Sequence, residues 1–308
     1  MLTAFISHPD CLRHETGPGH PESPARLHAI EDQLIEVQLY YLLRHLDARE
    51  ATREQLLRVH DAAYLDALEA IPLPDGLRHL DVDTVIGPNS LRAARRAAGA
   101  LVTAVENVMQ GEVNNAFCAV RPPGHHARRD QAMGLCIYNN IAVGVADALE
   151  AHGLERVAIL DFDVHHGNGT EEIFADDPRV MICSTFQHPF YPDIPFQENG
   201  SRIVCAPLQA GAGSSEFRAA VEARILPAME RFRPQMLFIS AGFDAHRDDD
   251  MSAINLTEAD YAWVTECMVK LAHRHAGNRI VSTLEGGYEL RSLARSVEAH
   301  LRALMGLH

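Results

Sequence analysis

Short, continuous apolar runs recur along the chain, and most of them are followed by a polar loop and then a helical pattern. The run at 157–160, Val-Ala-Ile-Leu, is apolar at every position, which is typical of a strand buried on both faces of a parallel sheet. Similar runs predict strands at 2–7, 115–120, 179–185, 236–240 and 279–284. This alternation predicts an α/β fold with a mostly parallel sheet and helices on both of its faces.

The segments between these strands carry helical periodicity. Ser23 and Pro24 are typical of a helix start, and Thr257 is a suitable cap for a later helix. The predicted helices cover 23–37, 53–70 and 90–110, a segment that ends near 152, 216–232, a segment that begins near 257, and the last residues of the chain.

The densest group of polar side chains comes directly after the apolar run at 157–160. Asp161, Asp163 and His165 stand at every second position, so they share one face if the strand continues and surround its tip if it ends. Carboxylates and an imidazole packed this closely need a cation to neutralise them. Two carboxylates and one imidazole suit a divalent metal with a position left open for water or substrate. The alternative is a polar loop that simply closes a strand.

Three other predicted strands also end in chemically useful side chains. His125 and His126 follow the strand at 115–120, Asp244 follows 236–240, and Tyr288 follows 279–284. Because ligands bind at the carboxyl edge of parallel sheets, we expect these residues to share one site. A helix cap at Asp244 and an ordinary loop tyrosine at Tyr288 remain the alternatives.

Together these residues have the parts of an amide hydrolase. A Zn²⁺ ion held by Asp163, His165 and Asp244 would polarise a carbonyl group and lower the pKa of water towards ~7. His126 is placed to act as a base on that water, and His125 can hold or donate a proton.

Two further residues are candidates to orient the histidine pair, and one to stabilise negative charge. Asp161 could orient His125, and Asn168 could orient His126. Because an asparagine is neutral, it would stabilise an imidazolium less than an aspartate would. Tyr288 follows two glycines and can bring its hydroxyl group to a developing oxyanion.

Composition limits the alternatives. The chain has 308 residues, 47% hydrophobic content and a net charge of −15. That length can bury a full core, and the lack of repeats or linkers predicts one domain over 1–308. The negative charge argues against binding to a phosphate backbone, so no nucleic-acid partner is expected.

The sequence also shows no targeting or membrane-spanning pattern. No apolar run reaches the length needed to span a membrane, and no signal peptide precedes the loop at His8. We therefore expect a cytoplasmic protein without a membrane partner. Six cysteines show no CxxC pairing, which predicts free thiols in a reducing compartment.

Four motifs and an amino-terminal segment resemble those of the zinc-dependent histone deacetylase superfamily, in order and over nearly the whole chain. The motifs are Arg121-Pro-Pro-Gly-His-His126, Asp161-Phe-Asp-Val-His-His-Gly-Asn-Gly169, Ser240-Ala-Gly-Phe-Asp-Ala-His246 and Glu285-Gly-Gly-Tyr288. Asn168 in place of an aspartate, together with Gly17-Pro-Gly-His-Pro, resembles the class II branch and its bacterial deacetylase-like amidohydrolases. The resemblance implies the arginase/deacetylase fold, a three-layer α/β/α arrangement with a central sheet of eight strands, and a narrow tube leading to zinc.

The resemblance also assigns residues to roles. It implies zinc at Asp163, His165 and Asp244, tandem histidines at His125 and His126, and an oxyanion tyrosine at Tyr288. It implies tube walls at Gly134, Leu135, Phe190 and Met251, with Gly286 and Gly287 near the tyrosine. It implies one structural K⁺ at Asp161, Asp163, His165, Ser184 and Thr185, and a second at Phe174, Asp177 and Val180.

The chain departs from the family pattern around the tube. The family usually has an aromatic residue where this chain has Leu135, so we expect a wider tube that accepts bulkier acyl groups. The loop Tyr191-Pro-Asp-Ile-Pro replaces the usual Pro-Gly-Thr-Gly-like turn, so the family pattern does not predict the shape of the rim. Asp83 matches loosely an acidic rim residue that holds the substrate backbone.

The implied substrate is an acylated lysine in a peptide or protein, and an acetylpolyamine amidohydrolase is the alternative. That group tends to carry a long insertion, which this chain lacks, although the acidic run at 248–250 could attract a polyamine. An arginase-type manganese enzyme would need a carboxylate where Gly167 stands. A non-catalytic acyl-lysine reader would be expected to have lost Tyr288 or the histidine pair. The subunit number stays open, and a homo-oligomer is among the alternatives.

Overall fold

The computed structural model describes residues 1–72, 76–199 and 201–307. Within these residues, ten strands form two sheets. The strands are β1 Thr3–Ser7, β2 Arg44–Asp47, β3 Arg78–His79, β4 Val85–Ile86, β5 Asn115–Cys118, β6 Val157–Asp161, β7 Val180–Gln187, β8 Ile203–Leu208, β9 Met236–Ala241 and β10 Ile280–Leu284. Eight of them form the central sheet in the order β2-β1-β5-β10-β9-β6-β7-β8, and β3 pairs with β4 in a small hairpin.

Every neighbouring pair in the central sheet is parallel, which confirms the predicted α/β fold class. The helices are α1 Ala25–Glu36, α2 Arg53–Leu57, α3 Ala62–Glu69, α4 Ser90–Met109, α5 Asn140–Glu150, α6 Asn168–Phe174, α7 Ser214–Ala220, α8 Leu226–Phe232, α9 Glu258–His275 and α10 Leu290–Met305. One group of helices contains α1, α9 and α10, and another contains α4 and α5. The sheet lies between the helical layers.

The structure confirms the six predicted strands, which are β1, β5, β6, β7, β9 and β10, and adds two to the central sheet and the two of the small hairpin, none of which the apolar runs predicted. The two strands added to the central sheet, β2 and β8, lie at its edges. The helix expected over 53–70 is wrong as a single element, because the chain turns after α2 and Asp61 begins α3. The predicted helix at 216–232 is continuous in outline but contains a π-helical turn, Val221–Ile225, between α7 and α8.

The core contains the strands of the sheet and the apolar sides of the helices. All residues of β5, β6, β7, β9 and β10 are buried, as expected for strands covered on both faces. The six cysteines are free thiols, as the sequence predicted. None of the described helices combines the length and the apolar composition needed to cross a bilayer.

This topology determines where the site lies. Strands β5, β10, β9 and β6 are consecutive neighbours in the sheet. Because they are parallel, the loops that follow them begin side by side at one edge. These are the four strands whose ends carry the residues singled out in the sequence.

Candidate metal centre and active site

Two aspartates and a histidine meet at the carboxyl ends of β6 and β9. Asp163 and His165 lie in the loop after β6, and Asp244 lies in the loop after β9. One ligand atom from each lies within 4.8 Å of the others. The Nδ1 of His165 is 3.1 Å from a carboxylate oxygen of Asp163 and 3.1 Å from one of Asp244. All three residues are buried, so the structure brings the predicted metal ligands together.

The surroundings of these carboxylates fit a divalent metal. The backbone N–H of Gly286 donates to Asp163 Oδ2 at 2.8 Å, and that of Val164 donates to Asp244 Oδ1 at 3.0 Å. Within the described part of the chain, no hydrogen bond reaches the buried Oδ2 of Asp244. Burial and the nearby Asp163 raise the pKa of Asp244 to about 6. A buried carboxylate oxygen that accepts no hydrogen bond is costly, and a divalent cation such as Zn²⁺ bound between this oxygen and the nearby Nδ1 of His165 would compensate it.

The two histidines after β5 have different partners. The Nδ1 of His125 donates to a carboxylate oxygen of Asp161 at 2.9 Å, and the Nδ1 of His126 donates to Oδ1 of Asn168 at 2.8 Å. The two rings lie 4.0 Å apart between centroids. Each histidine therefore contacts the residue that the sequence predicted as its partner.

These partners give the two rings different protonation states. Burial lowers the pKa of His125, but the charges of Asp161 and Asp163 outweigh burial and raise it to about 10. Burial and the neighbouring positive charge of His125 lower the pKa of His126 well below its ordinary value. These opposite shifts favour a protonated His125 and a neutral His126, and in a neutral His126 whose Nδ1 donates to Asn168 the other ring nitrogen, Nε2, can accept a proton.

Tyr288 lies at the same cleft as the two histidines. Burial raises the pKa of Tyr288 well above its ordinary value, so its hydroxyl group remains a hydrogen-bond donor. The guanidinium of Arg26 lies 4.9 Å from the centre of the tyrosine ring. The structure thus brings Tyr288 to the site, as the sequence predicted.

Asp249 holds the backbone beside this tyrosine. One carboxylate oxygen accepts hydrogen bonds from the backbone N–H groups of Tyr288, at 2.7 Å, and Glu289, at 3.1 Å. The other accepts from the backbone N–H of Met251 at 3.0 Å. Asp249 therefore links the tyrosine loop to the loop that carries Asp244. These contacts of Asp249 were not predicted from the sequence, because Asp249 stands in an acidic run, which is typical of a charged surface.

Glu285 connects the histidine loop to the end of β10. Its Oε2 accepts from the backbone N–H groups of Gly124, at 2.7 Å, and His125, at 3.1 Å, and its Oε1 accepts from the hydroxyl of Ser240 at 3.1 Å. Burial raises the pKa of Glu285 to about 7, although the charge of His125 opposes this. The motif that contains Glu285 was recognised in the sequence, but its link to the histidine loop was not.

A cleft of about 480 Å³ leads to these groups. Five of the six predicted tube residues line it: Gly134, Leu135, Phe190, Met251 and Gly286. The sixth, Gly287, is not among the lining residues, and its carbonyl accepts a hydrogen bond from Arg26 at 2.6 Å. Asp83 lies in the lining, as its loose match to a rim residue suggested. Sequence reasoning missed several further lining residues: His79, Val82, Val85 and Tyr191.

Tyr191 forms much of one wall of this cleft. Its ring is perpendicular to that of His126, with centroids 5.2 Å apart, and Phe190 stacks on His165 at 5.4 Å. A Cβ atom at Gly134 would lie 2.6 Å from the His126 ring and 2.9 Å from the Tyr191 hydroxyl, so only glycine fits there. Leu135 follows, with a backbone N–H that donates to Thr84 Oγ1 at 3.0 Å.

The residues implied for the first K⁺ ion lie at the carboxyl end of β6, in the loop after it, and on the neighbouring strand β7. Asp161 pairs with Ser184 across β6 and β7, and the side chains of Ser184 and Thr185 are buried. Within the described residues, no hydrogen bond reaches the backbone carbonyl oxygens of Asp163 or His165. Buried carbonyl groups are normally paired, so these free oxygens fit a monovalent cation.

Comparison with known proteins agrees with this geometry. The Histone deacetylase domain family matches residues 20–304. A histone deacetylase-like amidohydrolase from Pseudomonas aeruginosa is 38% identical over 93% of this chain and 81% of its own length. The human polyamine deacetylase HDAC10 is 34% identical over 99% of this chain and 48% of its own length. The crystal structure of the HDA15 HD domain superposes with a TM-score of 0.91 at 35% identity, over 99% of this chain and 88% of that one.

Proposed function

The chain belongs to the histone deacetylase family, and we propose that it is a zinc-dependent amidohydrolase that removes acetyl groups from the ε-amine of lysine in peptides or proteins. One arrangement carries this proposal: a neutral histidine, a tyrosine hydroxyl and a metal-binding triad converge at the end of one cleft.

The metal would be held by Asp163, His165 and Asp244. When bound there, Zn²⁺ would polarise the acyl carbonyl and lower the pKa of water, so that water can lose a proton and act as the nucleophile near neutral pH. The chain's contribution is to fix the three ligands through backbone hydrogen bonds, such as that from Gly286 to Asp163. The cleft would bring the scissile amide to the same place.

His126 would act as the general base. Its Nδ1–H is donated to Asn168, so Nε2 is free to take a proton from the attacking water. The proton that His126 accepts is the one that the leaving amine needs when the C–N bond breaks. His125 would keep its own proton because Asp161 holds it, and its charge would stabilise the negative charge that develops on the substrate.

Tyr288 would donate a hydrogen bond to the oxyanion that forms when water attacks the carbonyl carbon. A donor that is already in place needs no reorganisation during the reaction, which is why such groups contribute strongly to rate. Asp249 would support this role by holding the backbone N–H of Tyr288.

The shape of the cleft favours an acylated lysine side chain. Its walls include Leu135, Tyr191 and Met251, which are apolar or amphipathic, and they would surround a four-carbon stem. A carboxylate, Asp83, lies in the lining, where it could accept hydrogen bonds from the backbone of a peptide. With a leucine at position 135, this wall would accept acyl groups larger than acetyl.

A polyamine substrate is the second candidate. The net charge of −15 would attract a polycation, and the similar protein HDAC10 is named a polyamine deacetylase. Both candidates use the same chemistry, so they differ only in what the rim recognises.

Parallel assays of one purified sample would decide between them. We expect hydrolysis of an acetyl-lysine peptide with a kcat/KM at least 10-fold above that for N-acetylspermidine and N-acetylputrescine. The reverse ratio would establish the polyamine alternative. Hydrolysis of neither class, by a sample that contains one zinc per chain, would contradict the proposed amidohydrolase.

A further inference from the structure

The residues implied for a second K⁺ ion lie around the turn between α6 and β7. The resemblance to the family implies Phe174, Asp177 and Val180 as its ligands, and because the side chains of phenylalanine and valine have no oxygen, the groups they can offer a cation are their backbone carbonyl oxygens. In this chain the backbone carbonyl group of each of the three residues already accepts a hydrogen bond. The carbonyl oxygen of Phe174 accepts from the backbone N–H of Asp177 at 3.1 Å, and the other two face a side chain from the start of β8.

That side chain is Arg202. Its Nη1 donates to the carbonyl oxygen of Asp177 at 2.8 Å and to that of Val180 at 3.3 Å. Its Nη2 donates to the carbonyl oxygen of Ala175 at 3.1 Å. The guanidinium therefore contacts three carbonyl groups of one turn, as a bound cation would.

The backbone of Arg202 is fixed on both sides. Its N–H donates to Oδ1 of Asn199 at 2.9 Å, and the N–H of Ile203 donates to the same oxygen at 2.9 Å. The carbonyl of Arg202 accepts from the N–H of Ile182 at 2.7 Å. Because three backbone contacts hold this residue between β7 and β8, the direction in which its side chain leaves the sheet is set by the fold.

The electrostatic surroundings of the guanidinium are also consistent with a fixed cation. The carboxylate of Asp177 forms hydrogen bonds to Arg179 at 2.8 and 3.0 Å. Those hydrogen bonds, together with the charge of Arg202, lower the pKa of Asp177. Two guanidinium groups therefore lie near the carboxylate of Asp177, and together they would repel a further cation such as K⁺.

We propose that the guanidinium of Arg202 replaces the second monovalent cation, so that this chain binds one K⁺ ion rather than two. A guanidinium is permanently charged and carries several donors in a fixed plane, so it can orient several carbonyl dipoles without recruiting an ion from solution. The first position differs, because the carbonyl oxygens of Asp163 and His165 accept no hydrogen bond from the described residues.

This inference does not depend on the proposed activity. It concerns the turn that joins α6, which carries Asn168, to β7, which carries Ser184. If Arg202 takes the place of an ion, the packing of this turn is independent of the K⁺ concentration. The catalytic assignments and the cation assignment can therefore fail separately.

Rubidium crystallography gives a direct test, because Rb⁺ occupies K⁺ sites and scatters anomalously. Crystals of the wild-type protein grown in RbCl should show an anomalous peak beside the carbonyls of Asp163 and His165. They should show none among those of Ala175, Asp177 and Val180. A Rb⁺ ion among these carbonyls in the wild-type protein, with the guanidinium displaced, would overturn the proposal.

Two variants show whether the charge of Arg202 is the cause. Arg202→Met keeps the length of the side chain but removes the charge, and it should gain a Rb⁺ peak at this turn. Arg202→Lys keeps the charge and should gain none. If Arg202→Met binds no Rb⁺ there, the carbonyls do not form a cation site, and if Arg202→Lys binds Rb⁺ there, the charge does not exclude the ion; either result would show that the proposed replacement is wrong.

Thermal unfolding provides a second measurement in solution, and it needs no crystals of the variants. Arg202→Met should melt at a lower temperature in choline chloride and regain part of the loss in KCl. Arg156→Met is the matched control, because within the described residues the guanidinium of Arg156 donates to one carbonyl, that of Arg233, at 3.2 Å. The control should respond to KCl as the wild-type protein does. An equal KCl response in Arg202→Met and in the wild type would contradict the proposal.

Discussion

The Nδ1–H of His126 donates a hydrogen bond to Oδ1 of Asn168 at 2.8 Å. The corresponding bond of the neighbouring His125 goes to a carboxylate, that of Asp161. A neutral partner does not stabilise an imidazolium as a charged one does. This difference, together with burial, keeps His126 neutral and able to act as a base, while His125 remains protonated.

Replacing Asn168 by aspartate should therefore change the pH dependence of catalysis. A carboxylate at this distance typically raises a histidine pKa by about 1 to 3, so His126 would become protonated at higher pH. We expect the acid limb of the kcat/KM profile to move to higher pH by about one pH unit or more. Asn168→Ser is the control for lost packing and should lower the rate without moving the limb upward. An unchanged limb in Asn168→Asp would contradict the role of His126 as base.

Replacing Tyr288 by phenylalanine should remove the oxyanion donor and little else. The loss of one such donor typically lowers kcat about 10²-fold or more. We expect a fall of this size in steady-state kinetics, with KM and the melting temperature nearly unchanged, because the backbone N–H of Tyr288 still donates to Asp249. A variant that retains full kcat would show that the hydroxyl group does not stabilise the transition state.

Replacing Leu135 by phenylalanine should narrow the tube. A change of one or a few methylene groups in an apolar pocket is worth about 1–3 kcal/mol of discrimination. We expect the ratio of kcat/KM for butyryl-lysine to that for acetyl-lysine to fall about 10-fold or more. Leu135→Met conserves volume and should leave the ratio within about twofold. A strong acetyl preference in the wild type that Leu135→Phe does not alter would contradict the wider tube.

Glu22 should make stability depend on pH. Burial raises the pKa of Glu22, but Arg121, His14 and Arg26 outweigh burial and lower it from its ordinary value of 4.5 to about 2. Because the folded-state pKa is depressed, the contribution to stability is complete well above pH 4.5 and is lost as the pH falls towards 2. A depression of that size corresponds to about 3 kcal/mol.

Urea unfolding of the wild type and Glu22→Gln checks this contribution. The wild type should be more stable by about 3 kcal/mol at pH 6, and the difference should be roughly 2 kcal/mol smaller at pH 3. Glu54→Gln, at an exposed position on α2, should show no such difference. A stability gap between wild type and Glu22→Gln that stays constant from pH 6 to pH 3 would rule out the depressed pKa.

The apolar pattern predicted the middle of the sheet and missed its edges, for a physical reason. Strands buried on both faces are apolar at nearly every position, as in β6 and β9. The edge strand β2, Arg-His-Leu-Asp, is only partly buried and offers no apolar run. The other edge strand, β8, contains Pro207. Because proline has no backbone N–H to donate to a neighbouring strand, it is normally confined to edge strands and argues against a strand in the sequence. Both features hide a strand from sequence inspection.

The site residues also divide into those that the sequence predicted and those that it did not. Residues proposed to contact the metal or the substrate, such as Asp163, His126 and Tyr288, stand in motifs that sequence inspection can find. Asp249 and Glu285 act by accepting backbone N–H groups from other loops, and no spacing in the sequence reports such contacts. The hydrogen bonds from Arg202 to the carbonyl groups of the turn after α6 also join distant segments, so the sequence did not predict them.

The central claim is that Asp163, His165 and Asp244 hold one divalent metal ion on which hydrolysis depends. The direct measurement is a zinc titration of chelator-treated protein, in which metal content and acetyl-lysine hydrolysis are followed together. We predict that activity is lost with the metal and returns in proportion to bound Zn²⁺, with full recovery at one ion per chain. Asp244→Asn should bind Zn²⁺ weakly and recover little. Full hydrolytic activity in protein shown to contain no metal would contradict the account.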